Sequence, residues 1–121
     1  MKSYNGFDPR QRYRALAYHK EQISLGNKPP KPECCHACGQ TEGVLVWHSE
    51  NYSEPFGDHI GEHGLCYVCH MMIHCRFRNP RAWRYHIGQL SRGMMPEPMY
   101  SQNWKAFLQT HLIRAGTATY T

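Results

Sequence analysis

The first 26 residues carry a helical pattern of apolar and polar positions. Asp8 and Pro9 are typical of a helix start, with the aspartate as N-cap and the proline at the first helical position, and Gly26 is a typical helix end. Residues 28–33 (KPPKPE) predict a stiff, extended linker. Four apolar side chains share roughly one face of the helix: Tyr13, Leu16, Ala17 and Ile23.

The middle of the chain changes to a short apolar run and then a long polar stretch. Residues 44–47 (VLVW) are β-branched and aromatic, which predicts a strand ending near His48. Residues 49–64 are polar and interrupted by Pro55 and three glycines, so they predict a long loop that holds at most a brief second strand.

Helical periodicity returns in the last third of the chain. Residues 65–77 predict a tight turn that runs into a helix. Asn79 and Pro80 end that helix and begin another, which continues to about Leu90 and stops at Gly93. Ser101 is a candidate cap for a last helix. Its inner face is predicted from five residues: Trp104, Phe107, Leu108, Leu112 and His111.

Composition is consistent with one small α+β domain with helical extensions. The chain has 121 residues, 40% of them hydrophobic, with a mean hydropathy of −0.70. A polar chain of this size gains from a metal staple. No stretch approaches a membrane span and the start lacks an apolar leader, so we expect a cytoplasmic protein with no membrane partner. In that reducing compartment, cysteines favour metal ligation over disulfides.

Charge and metal-ligating residues are segregated along the sequence. Residues 34–75 contain no lysine or arginine, five acids, all six cysteines and six of the nine histidines. Residues 1–33 carry seven basic residues and three acids, and residues 76–92 carry five arginines and no acid. The central block is what a cation site requires, and the basic flanks favour a polyanionic partner.

Two Cys-x2-Cys pairs are the most specific motif. Cys35 with Cys38 and Cys66 with Cys69 predict four thiolates around one structural Zn²⁺. The 27 residues between the pairs exceed the spacing of a common zinc ribbon, so the metal closes over more than one hairpin. Cys34 is an alternative to Cys35. Cys75 has no partner at ligand spacing and is predicted to be a small buried residue.

Three histidines lie inside or beside the segment that this zinc closes. His70 and His74 are four residues apart on a predicted helix and therefore project from one face. His48 follows the predicted strand. Imidazoles in this arrangement can share a second cation.

The order of these motifs resembles the HNH endonucleases, which have a zinc-stapled ββα-metal fold. The resemblance covers residues 35–77: Cys-x2-Cys-Gly, a strand, His48, a loop, then Leu65-Cys66-x2-Cys69-His70-x3-His74. The segment HSENYSEP that begins at His48 is similar to one in small phage and prophage HNH-like proteins.

The resemblance implies a metal-dependent endonuclease acting on DNA. It implies His48 as the general base, and His70 and His74 as ligands of a catalytic Mg²⁺ or Mn²⁺. The family has a ligand followed by the base. Here the pair is either Trp47-His48, which keeps the base and loses a ligand, or His48-Ser49, which keeps the ligand and puts serine in place of the base.

Further departures concern the loop. The family's middle asparagine falls at Gly61 in this chain. Asp58, His59 or His63 could supply a missing ligand of the second cation, and the spacing does not decide among them.

An arginine run follows the predicted metal helix and favours DNA contacts. Its members are Arg76, Arg78, Arg81 and Arg84. The aromatic residues nearby are expected in the core rather than as base-stacking platforms: Trp83, Tyr85 and Trp104.

We therefore divide the chain into an N-terminal helix and linker (1–33), an HNH-like centre (34–78) and a C-terminal helical extension (79–121). The leading function is DNA hydrolysis. The alternatives are a non-catalytic zinc module that binds nucleic acid and a protein-interaction module.

Overall fold

A computed structural model describes residues 1–117 of the chain as a small α+β fold. The elements in chain order are helix α1 (Pro9–Ser24), strands β1 (Leu45–His48) and β2 (His63–Cys66), and helices α2 (Tyr67–Cys75) and α3 (Pro80–Ser91). Helix α4 (Trp104–Phe107), a π-helical turn (Leu108–Leu112) and helix α5 (Ile113–Thr117) follow. The predicted mixed fold class is confirmed.

Helix boundaries follow the capping residues. The Asp8 carboxylate accepts from the N–H of Gln11 at 2.8 Å, and Pro9 begins α1. The Asn79 side chain accepts from Ala82 N at 3.1 Å at the start of α3. These side chains bond amide groups that have no partner inside the first helical turn.

The last helical segment differs from its prediction at two residues. Asn103, not Ser101, caps α4 through a bond from Ala106 N at 3.1 Å. Trp104 was expected on the inner face but is 43% exposed, whereas Phe107 is fully buried. The core cluster includes Phe107, with Leu108 packed against it, but not Trp104, so the buried part of this segment begins three residues after Trp104.

The two strands form an antiparallel hairpin in which Leu45 pairs with Cys66 and His48 pairs with His63. The brief second strand expected in the loop is thus the last four residues before α2. This register brings the end of β1 beside the start of β2. Cys66 is both the last residue of β2 and the N-cap of α2.

The proline-rich linker packs on the hairpin. Pro32 is fully buried, and a Cβ on Gly64 would lie 2.5 Å from the Cβ of Pro32. Only glycine therefore allows this approach. Trp47 Nε1 donates to Pro29 O at 3.0 Å, so its indole faces the linker.

The core lies where α2 meets the hairpin, α3 and the C-terminal helices. Its buried members include Val68, Cys69, Met72, Ala82 and Phe107. No helix within residues 1–117 combines the length and apolar character needed to cross a bilayer.

Candidate metal centres

The first centre consists of the four cysteines predicted from their spacing. The Sγ atoms of Cys35, Cys38, Cys66 and Cys69 lie within 4.8 Å of one another. Gly39, at φ 85°, closes the first turn by donating its N–H to Cys35 O at 2.8 Å. This group can hold a metal ion such as zinc. Neither Cys34 nor Cys75 belongs to it, and both are half-buried thiols.

Two hydrogen bonds between His36 and Gly64 hold the two cysteine pairs close to each other. His36 N donates to Gly64 O at 2.7 Å, and Gly64 N donates to His36 Nδ1 at 3.0 Å. The first turn is therefore joined to β2 two residues before Cys66. The second turn needs no extra support, because Cys66 Sγ accepts from Cys69 N at 3.5 Å at the helix start.

The negative charge of several thiolates in this centre would have to be balanced by a cation. Hydrogen bonds from the other three thiols lower the pKa of Cys35, so one thiolate forms readily. Hydrogen bonds with Cys35 and Cys38 raise the pKa of Cys66 and of Cys69, because these bonds favour the protonated thiols. Four thiolates can coexist in this space only with a positive ion among them.

The second centre consists of His48, His70 and His74. One ring nitrogen from each lies within 4.8 Å of the others, and the Nε2 atoms of His70 and His74 are 3.0 Å apart. The ring centroid of His48 lies 5.1 Å from that of His70 and 5.0 Å from that of His74. The sequence predicted all three residues, and the fold brings them together.

These imidazoles are neutral near pH 7. Burial, with smaller repulsion from neighbouring imidazoles and Arg12, lowers the pKa of His70 to about 3 and that of His74 to about 4. Burial also lowers the pKa of His48, although the Glu50 carboxylate opposes it. Neutral imidazoles offer lone pairs, so the donor chemistry fits a transition-metal ion.

The loop residues proposed as a further ligand are elsewhere. His59 Nε2 bonds to Ser53 O at 2.8 Å, and His63 lies exposed on β2 beside Glu62. Asp58 lines a separate cavity next to Lys28. None of the three belongs to a group of potential ligands within residues 1–117. For Asp58 and His59 the reason is that residues 57–61 turn toward α1 rather than toward α2.

Glu50 is the carboxylate beside the second centre, and sequence reasoning gave it no role. Its Oε2 contacts His48 Nε2 and accepts from the Tyr4 hydroxyl, while Oε1 accepts from Arg76 at 2.6 Å. Burial raises the pKa of Glu50, but bonds from Tyr4 and His48 outweigh it and the net pKa is lowered. Glu50 is thus an ionised group that holds the His48 ring.

Tyr4 and Arg12 bring the N-terminal segment into the same site. Tyr4 is buried, and its hydroxyl accepts from Arg76 at 2.6 Å and lies 3.4 Å from His48 Nε2. The Arg12 guanidinium lies 5.2 Å from the Tyr4 ring centroid and 5.1 Å from that of Tyr52. A signal for Glu50 existed in its position two residues after the strand-end histidine, but none existed for Tyr4.

Ser49 and Gly61 account for the departures from the HNH pattern. The buried Ser49 hydroxyl accepts from Gly61 N at 2.6 Å. Gly61 has φ +64°, and a Cβ there would lie 2.3 Å from the His19 ring. A side chain at position 61 would strain the backbone and would require the His19 ring to move, and the backbone N–H of Gly61 bonds the residue after His48.

Of the arginine run, Arg76 is engaged inside the protein. Its side chain is 15% exposed and bonds Glu50, Tyr4 and Ile73 O. Arg76 therefore forms an internal ion pair, and its contact with DNA stays a prediction. Arg78, Arg81 and Arg84 are exposed.

Comparisons with protein-family models, with curated proteins and with solved structures give no significant match. What these two centres do must therefore be argued from their own residues.

Proposed function

We propose that this protein is a metal-dependent endonuclease that hydrolyses DNA phosphodiester bonds at the His48–His70–His74 centre. The observation that carries the proposal is the convergence of three neutral imidazoles, within 4.8 Å, at the junction of β1 and α2. We further propose that the cysteine centre holds a structural Zn²⁺ that fixes this junction, because Cys66 and His70 lie one helical turn apart.

In this proposal His48 is a ligand rather than the general base expected from the sequence. Its ring centroid lies 5.1 Å from that of His70 and 5.0 Å from that of His74, and Trp47 faces the linker instead. This geometry favours the His48-Ser49 register. Glu50 then acts as a positioning residue that holds His48, as carboxylates commonly hold metal-ligating histidines.

A divalent ion held by the three histidines would act as a Lewis acid and would make bound water a better nucleophile at neutral pH. Three imidazoles suit first-row transition ions better than Mg²⁺, which prefers oxygen ligands. We therefore expect Zn²⁺, Ni²⁺ or Mn²⁺ to support cleavage more strongly than Mg²⁺.

A second candidate function is favoured by Ser49. A serine hydroxyl is not basic at neutral pH, and this one already accepts a hydrogen bond from Gly61 N. Without a base on the strand, the chain would bind DNA and a second ion without cutting.

The test is nicking of supercoiled plasmid by the full chain with each of these ions. His70→Ala should reduce nicking by 100-fold or more, and His48→Ala should lose both nicking and the second ion. His63→Ala, which changes the exposed histidine paired with His48 in the hairpin, is the matched control and should nick like the wild type. Equal nicking by the wild type and His70→Ala would refute the nuclease, and DNA binding without nicking would support the second candidate.

If His48→Ala instead keeps the second ion but loses nicking, His48 acts as a base and not as a ligand. Metal analysis of the same preparations therefore separates the two roles of His48.

A further inference from the structure

A groove leads from the surface to the His70–His74 edge of the second centre. Its volume is about 580 Å³, and it lies between the N-terminal segment, α2 and the start of α4. Three cations line it, namely Lys2, Arg12 and Arg78. None of the lining residues within 1–117 is acidic, so the groove fits a polyanion.

Two aromatic side chains stand at this groove and are exposed. Phe77 is 67% exposed, with the Arg76 guanidinium 4.3 Å from its ring centroid, and Trp104 is 43% exposed. Exposed aromatic rings among cations are typical of surfaces that bind single-stranded nucleic acid, because every unpaired base has a face that can stack. A duplex keeps its bases stacked and cannot use them in this way.

Arg12 lines the groove together with His70 and His74. Tyr4 and Tyr52 hold its guanidinium, which donates to Lys2 O and Tyr52 Oη. Its Nε is buried and has no hydrogen-bond partner in the part of the chain that the structure describes. Arg12 also lines the cavity of about 190 Å³ on the other side of His70 and His74. Each Nη atom of this guanidinium carries a second N–H beyond the one that bonds Lys2 O or Tyr52 Oη. A guanidinium held in this way is suited to a phosphate oxygen.

We propose that this groove binds a single DNA strand, with Arg12 bonding the phosphate next to the second centre and Phe77 and Trp104 stacking on unpaired bases. The inference deepens the proposed function by naming its substrate class, single-stranded DNA or DNA with unpaired bases at the cut. Lys2 and Arg78 then contact the flanking phosphates.

The test is fluorescence anisotropy of a labelled 12-nucleotide single strand and of the same sequence as a blunt duplex, using the zinc-loaded full chain without added divalent ion. We expect the single strand to bind at least about 10-fold more tightly. Phe77→Ala and Trp104→Ala should each weaken single-strand binding by about 5- to 100-fold and leave duplex binding nearly unchanged. Arg12→Ala should weaken single-strand binding.

Tyr100→Ala is the matched control, because Tyr100 is 73% exposed and does not line the groove. Zinc content confirms that each variant is folded. Duplex binding as tight as single-strand binding would overturn the inference, and so would unchanged single-strand affinity in Phe77→Ala and Trp104→Ala. Neither result would contradict the proposed nuclease activity. Single-strand preference in a chain that does not nick would support the inference and contradict the proposed cleavage.

Discussion

Glu50 accepts a hydrogen bond from Arg76 at 2.6 Å and thereby ties the loop after β1 to the end of α2. The two side chains are 31% and 15% exposed, so water screens this pair only partly. The same carboxylate contacts His48, and the same guanidinium bonds Tyr4. The pair therefore links the N-terminal segment to the second metal centre.

Removing Arg76 should cost stability because it leaves an ionised carboxylate short of partners. We expect Arg76→Ala to lower the free energy of unfolding by about 2 kcal/mol in urea. Arg14→Ala is the control, since its ion pair with Glu54 is half-exposed at both ends and should contribute less than about 1 kcal/mol. Similar losses in the two variants would show that the Glu50 pair is no more than a surface contact.

The cysteine centre should hold one metal ion tightly. Structural zinc supplies on the order of 10 kcal/mol of binding free energy in small domains, so Cys66→Ser should lose zinc and the cooperative unfolding transition. Cys75→Ser, which changes a half-buried thiol outside the centre, should keep both. Elemental analysis and thermal unfolding measure the two effects. A folded wild type without metal would contradict this assignment.

His86 should make the stability of the fold depend on pH. Burial lowers its pKa to about 4, whereas an unfolded histidine has a pKa near 6.5. Between these values only the unfolded chain takes up the proton, so stability is full above pH 6.5 and falls as the pH drops toward 4.

Replacing His86 with leucine should remove this contribution to the pH dependence of stability. On going from pH 7.5 to 5.5, the wild type should lose about 1.4 kcal/mol more than His86→Leu, by urea unfolding. The metal ligands titrate in both proteins, so the difference isolates His86. Equal losses would mean that His86 titrates normally in the folded chain.

The exposed arginines should contribute to DNA affinity through phosphate contacts. Arg81 and Arg84 are three residues apart on α3, and Arg78 precedes that helix. Replacing all three with alanine should reduce the slope of log affinity against log salt by about 2 to 3. Arg10→Ala with Lys20→Ala, which removes two exposed cations from α1, is the control. An unchanged slope in the triple variant would show that these three arginines do not contact the DNA.

Local chemistry made most of the fold predictable. The Asp8-Pro9 and Asn79-Pro80 steps specified two helix starts, and the Cys-x2-Cys spacing specified the first centre. His70 and His74 were predictable because helix geometry alone places residues four apart side by side. His48 followed from its position at the end of an apolar run.

Contacts between distant segments were not predictable in the same way. Glu50 meets Arg76 and Tyr4 across 26 and 46 residues, and neither spacing carries a signal. Arg76 looked like its exposed neighbours because a sequence does not show which arginine of a run meets a carboxylate. The helical pattern predicts Trp104 on the inner face of the last helix, but the buried part of that segment begins only at Phe107.

The central claim is that the chain has two separate metal centres, with His48 as a ligand of the second. The most direct measurement is an anomalous difference map from a crystal of zinc-loaded protein soaked in Ni²⁺, recorded at the zinc and nickel edges. We predict a zinc peak among Cys35, Cys38, Cys66 and Cys69, and a nickel peak bonded to His48, His70 and His74. A zinc peak alone, or a nickel peak bonded to His70 and His74 but not to His48, would contradict the claim.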